Sequence, residues 1–339
     1  MTQRTPSAAS GIHRKTPRSP RFPGGFHSTR TVTAPALARR SAGLGLALAL
    51  LVSGCQGSGP PAPLRSSGCP RCGAVARVGD LPKGDLDECS GLVAGGAHPD
   101  ALYLHNDSGD GPRFFAIGLD GALRAEIEVA GAAAVDWEDV ARGPCSAGGG
   151  SCLFFGDIGD NDRERDRYAF YEVKEPDALE GAPRSLTAEV IPFAYPDGSD
   201  NSETLLVHPI TGAITVVTKV KKKGTSGVYE LPARPAAGAT ATLVRAGSVE
   251  APTGNARFTG GDVHPDGTGV LLRTSTHVFF YPMTPDQTVA QALAGMPCDM
   301  PVADEEQGEA IAWLPGGWDY VTIGEGSEAP IHRVSCEAP

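Results

Sequence analysis

Five short segments of similar make-up recur along this chain about fifty residues apart, and that recurrence limits the fold more than any other feature. Each joins an acidic residue to an apolar run: Glu88-Cys89-Ser90-Gly91-Leu92, Asp136-Trp137-Glu138-Asp139-Val140, Ser202-Glu203-Thr204-Leu205, Gly261-Asp262-Val263 and Gly308-Glu309-Ala310-Ile311. With Glu88, Glu138, Glu203, Asp262 and Glu309 taken as equivalent, the intervals are 50, 65, 59 and 47 residues. Those are blade lengths, near the roughly 40 to 50 residues of propeller repeats. A second series follows, in which an apolar strand ends in polar residues at Asp107, Asp157, Lys219, Arg273 and Glu325.

The segments between carry the φ > 0 turn residues that hairpins need, as in Asp120-Gly121, Pro265-Asp266-Gly267 and Pro315-Gly316-Gly317. A composition of 44 Gly and 29 Pro against 4 Met favours short strands over long helices. The expected fold is all-β: a β-propeller of five four-stranded blades. Fourth strands fall at Leu123 to Val129, Leu186 to Phe193 and Ala241 to Ala246, with a poorer one after Met296. The last unit lacks one, and Ala74-Val75-Ala76-Arg77-Val78 ahead of the first can supply it, closing the ring and leaving no exposed edge. A two-sheet sandwich is the competing architecture, but nothing in a sandwich requires this period.

Ahead of the repeats, Arg39-Arg40 precede an apolar run from Ser41 to Val52, of signal-peptide length and too short for a membrane span. The run ends Leu51-Val52-Ser53-Gly54-Cys55, which resembles the bacterial lipoprotein box with Cys55 as the acylated N-terminus. The expected organisation is a leader at 1–54, a lipidated flexible tether at 55–72 and one propeller domain at 73–339. Acyl chains hold such a body on a membrane surface, in the cell envelope outside the cytoplasm, where disulfides persist. Cys145 and Cys152 flank a Gly-rich hairpin tip and are expected to pair, Cys298 with Cys336 is the next candidate, and Cys69 and Cys72 read as structural disulfides of the tether. Seven cysteines beyond Cys55 leave one free or paired between chains.

Eight cations precede Cys55, and the first acidic residue is Asp80. Without those eight, 21 of the 29 cations face 40 anions, a balance of −19 that disfavours nucleic acid as a partner. An antiparallel pair brings the start of its first strand and the end of its second to the same side. Both marker series therefore gather at one mouth of the central channel, assembling Glu88, Asp107, Glu138, Asp157, Glu203, Lys219, Asp262, Arg273, Glu309 and Glu325. Crowded carboxylates raise their pKa values or take up a cation. Calcium suits the set, and the loops at Asn106-Asp107-Ser108-Gly109-Asp110 and Gly156 to Asp162, with Asp160, offer further oxygen ligands. Lys219, Arg273 and Glu325 are the candidate ligand contacts. The competing reading is that these acids bind backbone amides and join adjacent blades. A helical calcium loop starting at Asp160 is excluded, because Arg165 stands where its glycine is needed and Tyr171 where its final Glu is needed. GxSxG, HExxH and Walker motifs are absent, and the histidines do not cluster at ligand spacing.

Glu88-x-Ser90-Gly91-Leu92, Asn106-Asp107-Ser108-Gly109, Trp137-Glu138-Asp139, Gly156-Asp157-Ile158-Gly159-Asp160-Asn161 and Gln307-Gly308-Glu309-Ala310-Ile311 resemble a widespread group of secreted bacterial β-propellers. They are more distantly similar to the esterase-like phytase propellers, over residues 73 to 339. The resemblance implies a propeller with an acidic, calcium-loaded mouth. Three functions are open: binding of an unidentified small-molecule or protein ligand at a metal-supported mouth, calcium-dependent phosphoester or ester hydrolysis, or a purely structural role in the envelope that needs no site. For the second, a phosphate site would want several cations, and only Lys219 and Arg273 are placed to serve.

Overall fold

The computed structural model describes residues 68–220, 224–253 and 257–339. The expected leader, Cys55, the tether as far as residue 67, and Lys221, Lys222 and Lys223 lie outside them. Strand β1 (Arg71–Asp80) opens the described chain, and four strands follow as the first blade: β2 (Cys89–Ala94), β3 (Ala101–Asn106), β4 (Arg113–Gly118) and β5 (Leu123–Ala130). The second contains β6 (Trp137–Pro144), β7 (Ser151–Asp157), β8 (Tyr168–Lys174), a short β9 (Ser185–Thr187) and β10 (Glu189–Ala194). The third contains β11 (Ser202–Val207), β12 (Ile214–Thr218), β13 (Ser226–Glu230), a short β14 (Ala241–Thr242) and β15 (Val244–Val249). The fourth contains β16 (Phe258–Val263), β17 (Gly269–Thr274), β18 (Val278–Pro282), helix α1 (Val289–Leu293) and β19 (Cys298–Met300). The fifth is β20 (Gly308–Trp313), β21 (Tyr320–Gly324) and β22 (Pro330–Glu337), completed by β1.

Strands β2, β6, β11, β16 and β20 are innermost, and each packs on the next until β20 returns to β2. This is the five-bladed propeller expected from the repeat, closed by pairing β1 against β22. Closure starts at Arg71, two residues before the expected edge of the domain.

Sheets stacked side by side cover one another on both faces, which explains the sequence of the inner strands. Strands β2, β3, β11, β16 and β17 are buried along their whole length, so they read as apolar runs instead of alternating. Outer strands such as β5 keep one wet face and alternate. A hydrophobic core fills each junction. Phe114, Trp137, Phe155 and Tyr171 pack between blades one and two, for example, with Trp137 stacked on Phe155 at 4.9 Å.

The outer junctions are fastened by a device the repeat did not reveal: the segment just ahead of each outer strand reaches back to the preceding blade. Thus β9 adds a parallel fifth strand to β5, and β14 does the same to β10. Ahead of β19, α1 packs Val289, Ala292 and Leu293 against Val249 at the end of β15. Before β1, Cys69 is disulfide-bonded to Cys298 of β19. Ahead of β5, the turn at Asp120-Gly121 lies so close to the Asp80 carbonyl that a Cβ on Gly121, at φ 84°, would overlap it. Two blades therefore have five strands where four were expected.

Cys145 and Cys152 are bonded. The Cys298–Cys336 pairing is corrected, since Cys298 takes Cys69 and Cys336 takes Cys72. The reason is the closing strand: Cys72 and Cys336 face each other across β1 and β22. Cys89, buried in β2, stays free. Among the described residues no helix is long and apolar enough to cross a membrane.

Candidate functional site: the channel mouth

The first pair of every blade contains a register shift at the same place, between Cys89 and Gly91, Trp137 and Asp139, Ser202 and Thr204, Phe258 and Gly260, and Gly308 and Ala310. A bulge turns its extra residue out of the ladder and re-aims that side chain. The residues so placed are Ser90, Glu138, Glu203, Thr259 and Glu309. Five aligned bulges at one end of five inner strands thus build the mouth, and three of them carry carboxylates.

This register corrects two of the expected equivalences. Glu88 lies two residues ahead of the bulge at Ser90, with its side chain exposed on the rim. Asp262 lies three residues beyond the bulge at Thr259. Its carboxylate accepts the N–H of Val263 at 2.8 Å and that of Trp313, on the next inner strand, at 2.9 Å. Asp139 does likewise, accepting Val140 N–H at 2.9 Å and Leu205 N–H at 2.9 Å. The non-acidic bulge residues also join blades: Ser90 Oγ donates to the Glu138 carbonyl and Thr259 Oγ1 to the Gly308 carbonyl. Blade-joining is therefore the role of Asp262 and Asp139, and burial pushes Asp262 up to about 7.

Three further expectations are corrected by their partners. Arg273 is fully buried between blades four and five, donating to Glu305 at 2.8 Å and to the Ala310 carbonyl at 2.8 Å, so it offers a ligand nothing. Glu305 is saturated in turn by Thr322 and His332. Asp157 is held by Arg165 at 2.7 Å and by the Asp136 N–H at 3.1 Å. Asp160 accepts the N–H groups of Glu164 and Arg165 and the hydroxyl of Tyr168, which brings it below its ordinary range despite burial and folds the 158–167 loop around it. Asp160 is left without the open oxygens a metal needs, and the charge of Asp157 is already met by Arg165.

What remains at the mouth is Asp107, Glu138, Glu203, Lys219, Glu309 and Glu325, together with Asp136, which sequence reasoning did not single out. Oxygens of Asp107, Asp136 and Glu138 all lie within 4.8 Å of one another. Glu138 is 4% exposed, yet among the described residues nothing donates to its carboxylate. Gly159 makes room for this group: a Cβ there would overlap the carboxylates of both Glu138 and Asp136. At the neighbouring blade Lys219 Nζ is ion-paired with Glu203. The 158–167 loop frames that side, where Arg163, at φ 57°, donates to the Lys219 carbonyl at 3.0 Å and to Asp200 at 2.8 Å. Gln307 donates to Glu325.

The crowding shows in the protonation equilibria. Burial, and then the charges of Glu203, Asp107 and Asp136, hold Glu138 well above the ordinary carboxylate range. Burial lifts Asp136 to about 6, with Asp107 adding to it, and Glu309 to about 8, with Glu203 adding to it. Glu203 is pushed to about 7 by burial, against the pull of Lys219. Glu325 is raised by burial and by Asp107 and Glu88. For Lys219 burial works downward, but Glu203, Glu309 and Glu138 outweigh it and the ammonium is stabilised.

A cleft of about 630 Å³ at the other end of the inner strands, between blades five and one, is lined by Leu102, Trp318, Arg124 and Arg333. Its cations are already paired, Arg124 with Asp100 and Arg333 with Asp319, and it lies away from the carboxylates.

No protein-family model matches this chain, and no curated sequence matches it. Among solved structures the Dos1 propeller is similar, at 11% identity and a TM-score of 0.34, over 70% of this chain. The match spans 55% of that chain, about half its length.

Proposed function

We propose that this protein is a lipid-anchored propeller of the cell envelope that binds a ligand or partner at a metal-supported acidic mouth, with calcium as the metal. The observation that carries this reading is Glu138: a buried carboxylate with no donor, aimed by a bulge at two further carboxylates. Left ionised and alone such a group is costly, and a bound cation removes the cost. The donors are all hard oxygens, which suits calcium over softer metals. Asp107, Asp136 and Glu138 would hold the ion, and the ion would supply positive charge to a ligand entering the channel mouth. Anchoring rests on Arg39-Arg40, the apolar run and Cys55.

The hydrolase alternative is weaker. Arg273 is committed to Glu305, and Lys219 is committed to Glu203, so neither expected cation is free to steady an anionic substrate. Calcium added to the purified protein should raise its melting temperature, since a ligand of the native state alone stabilises it by about 2.7 kcal/mol at a hundredfold excess over Kd. Glu138→Gln should fold and lose that rise. An equal rise in the variant would sink the assignment. For the anchor, Cys55→Ser should release the protein from membranes, and retention there would argue against acylation.

A further inference from the structure

Of the six carboxylates at the mouth, Asp107, Asp136, Glu138, Glu203, Glu309 and Glu325, the last accepts from Gln307 and the other five fall into two groups. On the side of blades one and two, Asp107, Asp136 and Glu138 converge within 4.8 Å, with no cation among the described residues paired to them. On the side of blades three and five, Glu203 and Glu309 face each other's charge, with Lys219 Nζ paired to the first and attracted also by Glu309 and, less, by Glu138. The ammonium stands where a second metal ion would otherwise be drawn. Its position is set from two directions: the backbone N–H of Lys219 donates to the Asn201 carbonyl at 2.7 Å, and its carbonyl accepts from Arg163. Lys219 occupies the register position held by Asp107 in blade one and Glu325 in blade five, one residue beyond the partners of Ser202, Cys89 and Gly308. One blade of the five thus places a cation where two others place acids.

We infer that Lys219 is a built-in counter-ion that fills one half of the mouth, so that the protein takes a single divalent cation, at Asp107, Asp136 and Glu138, and not two. This rests on the reading of the mouth as a cation site. A protein-borne ammonium neutralises Glu203 at no cost in ion uptake, whereas Glu138 feels that ammonium only from beyond ion-pair distance and depends on an ion from solution. Removing the ammonium leaves Glu203 and Glu309 as an uncompensated pair, which either keeps a proton or recruits a cation, and mildly alkaline pH favours the second.

Calcium titrated calorimetrically into the purified full-length protein, at mildly alkaline pH and physiological salt, tests this through stoichiometry. The natural chain should bind one ion, Lys219→Met two, and Lys219→Met combined with Glu203→Gln one again. One ion in all three proteins overturns the inference and leaves the cation site standing. Two in the natural chain overturns the inference as well. No ion in the natural chain overturns both. If Lys219→Met does not fold, Lys219→Gln carries the same test, because its amide still donates to Glu203 without contributing charge.

Discussion

The Asp262 carboxylate of the fourth blade accepts the backbone N–H of Trp313 in the fifth, at 2.9 Å, and both residues are buried. A side chain of one inner strand thereby completes the hydrogen bonding of the next. Asp262→Ala leaves the N–H groups of Trp313 and Val263 without their acceptor, and orphaned buried donors cost about 1–3 kcal/mol each. Chemical denaturation should show a loss of about 2–5 kcal/mol with calcium uptake unchanged. A loss of calcium uptake in a folded Asp262→Ala variant would return Asp262 to the mouth.

Stability of the calcium-free protein should fall as pH rises from about 6.5, above which the buried histidines are neutral in both states, to mildly alkaline. Asp136, Glu203 and Glu309 have folded values of about 6, 7 and 8, above the ordinary 3.8, 4.5 and 4.5. The folded state therefore binds these protons more tightly than the unfolded chain, and that stabilisation is complete below the unfolded values and lost as pH climbs through the folded ones. Glu309→Gln removes one buried ionisation and should be more stable than the natural chain above pH 8, by on the order of 2–4 kcal/mol. Melting curves across this range decide the matter, and a flat or rising profile for the natural chain contradicts it.

Gly159→Ala should damage the cation site more than the fold. Its Cβ would meet the carboxylates of Glu138 and Asp136, both ends of side chains that can swing away. The expected result is a modest loss of stability, about 1 kcal/mol, with calcium affinity lowered at least tenfold. Unchanged affinity by titration would show that the two carboxylates do not act together.

The two disulfides of the closing strand should act non-additively. Cys69–Cys298 and Cys72–Cys336 span 229 and 264 residues, but either one alone already holds the ring shut. Once one is present, the other closes only the short circuit through residues 298–336. Loop entropy then predicts a double Cys69→Ser, Cys72→Ser variant that loses more than the sum of the singles. Removing Cys145–Cys152, which spans 7 residues, should cost about 7 kcal/mol less than the double variant by the same loop-entropy rule. Equal costs for all three variants would contradict this.

The five units, their inner strands and the closing strand at Ala74 to Val78 could be read from the chain because buried strands announce themselves as apolar runs at even spacing. The bulge register could not. Aligning by charge puts Glu88 and Asp262 in the ring, where strand pairing puts Ser90 and Thr259. Arg273 looked like a mouth residue because its strand ends there. By strand pairing the mouth position of that blade is Ser275, two residues further on, and Arg273 lies back beside Gly260, bonded to Glu305, a residue from a loop with no repeat signal. The strands β9 and β14 were merged into their neighbours, because three or two residues carry no period of their own.

The fastening of β1 also decides how the domain bears load. A pull delivered through the chain ahead of Gly68 meets the Cys69–Cys298 bond before it reaches the first strand, and the Cys72–Cys336 bond immediately after. The force passes covalently into blades four and five, so β1 is not peeled from β22 one hydrogen bond at a time. A propeller hung by this end would stretch its leash without unzipping its ring.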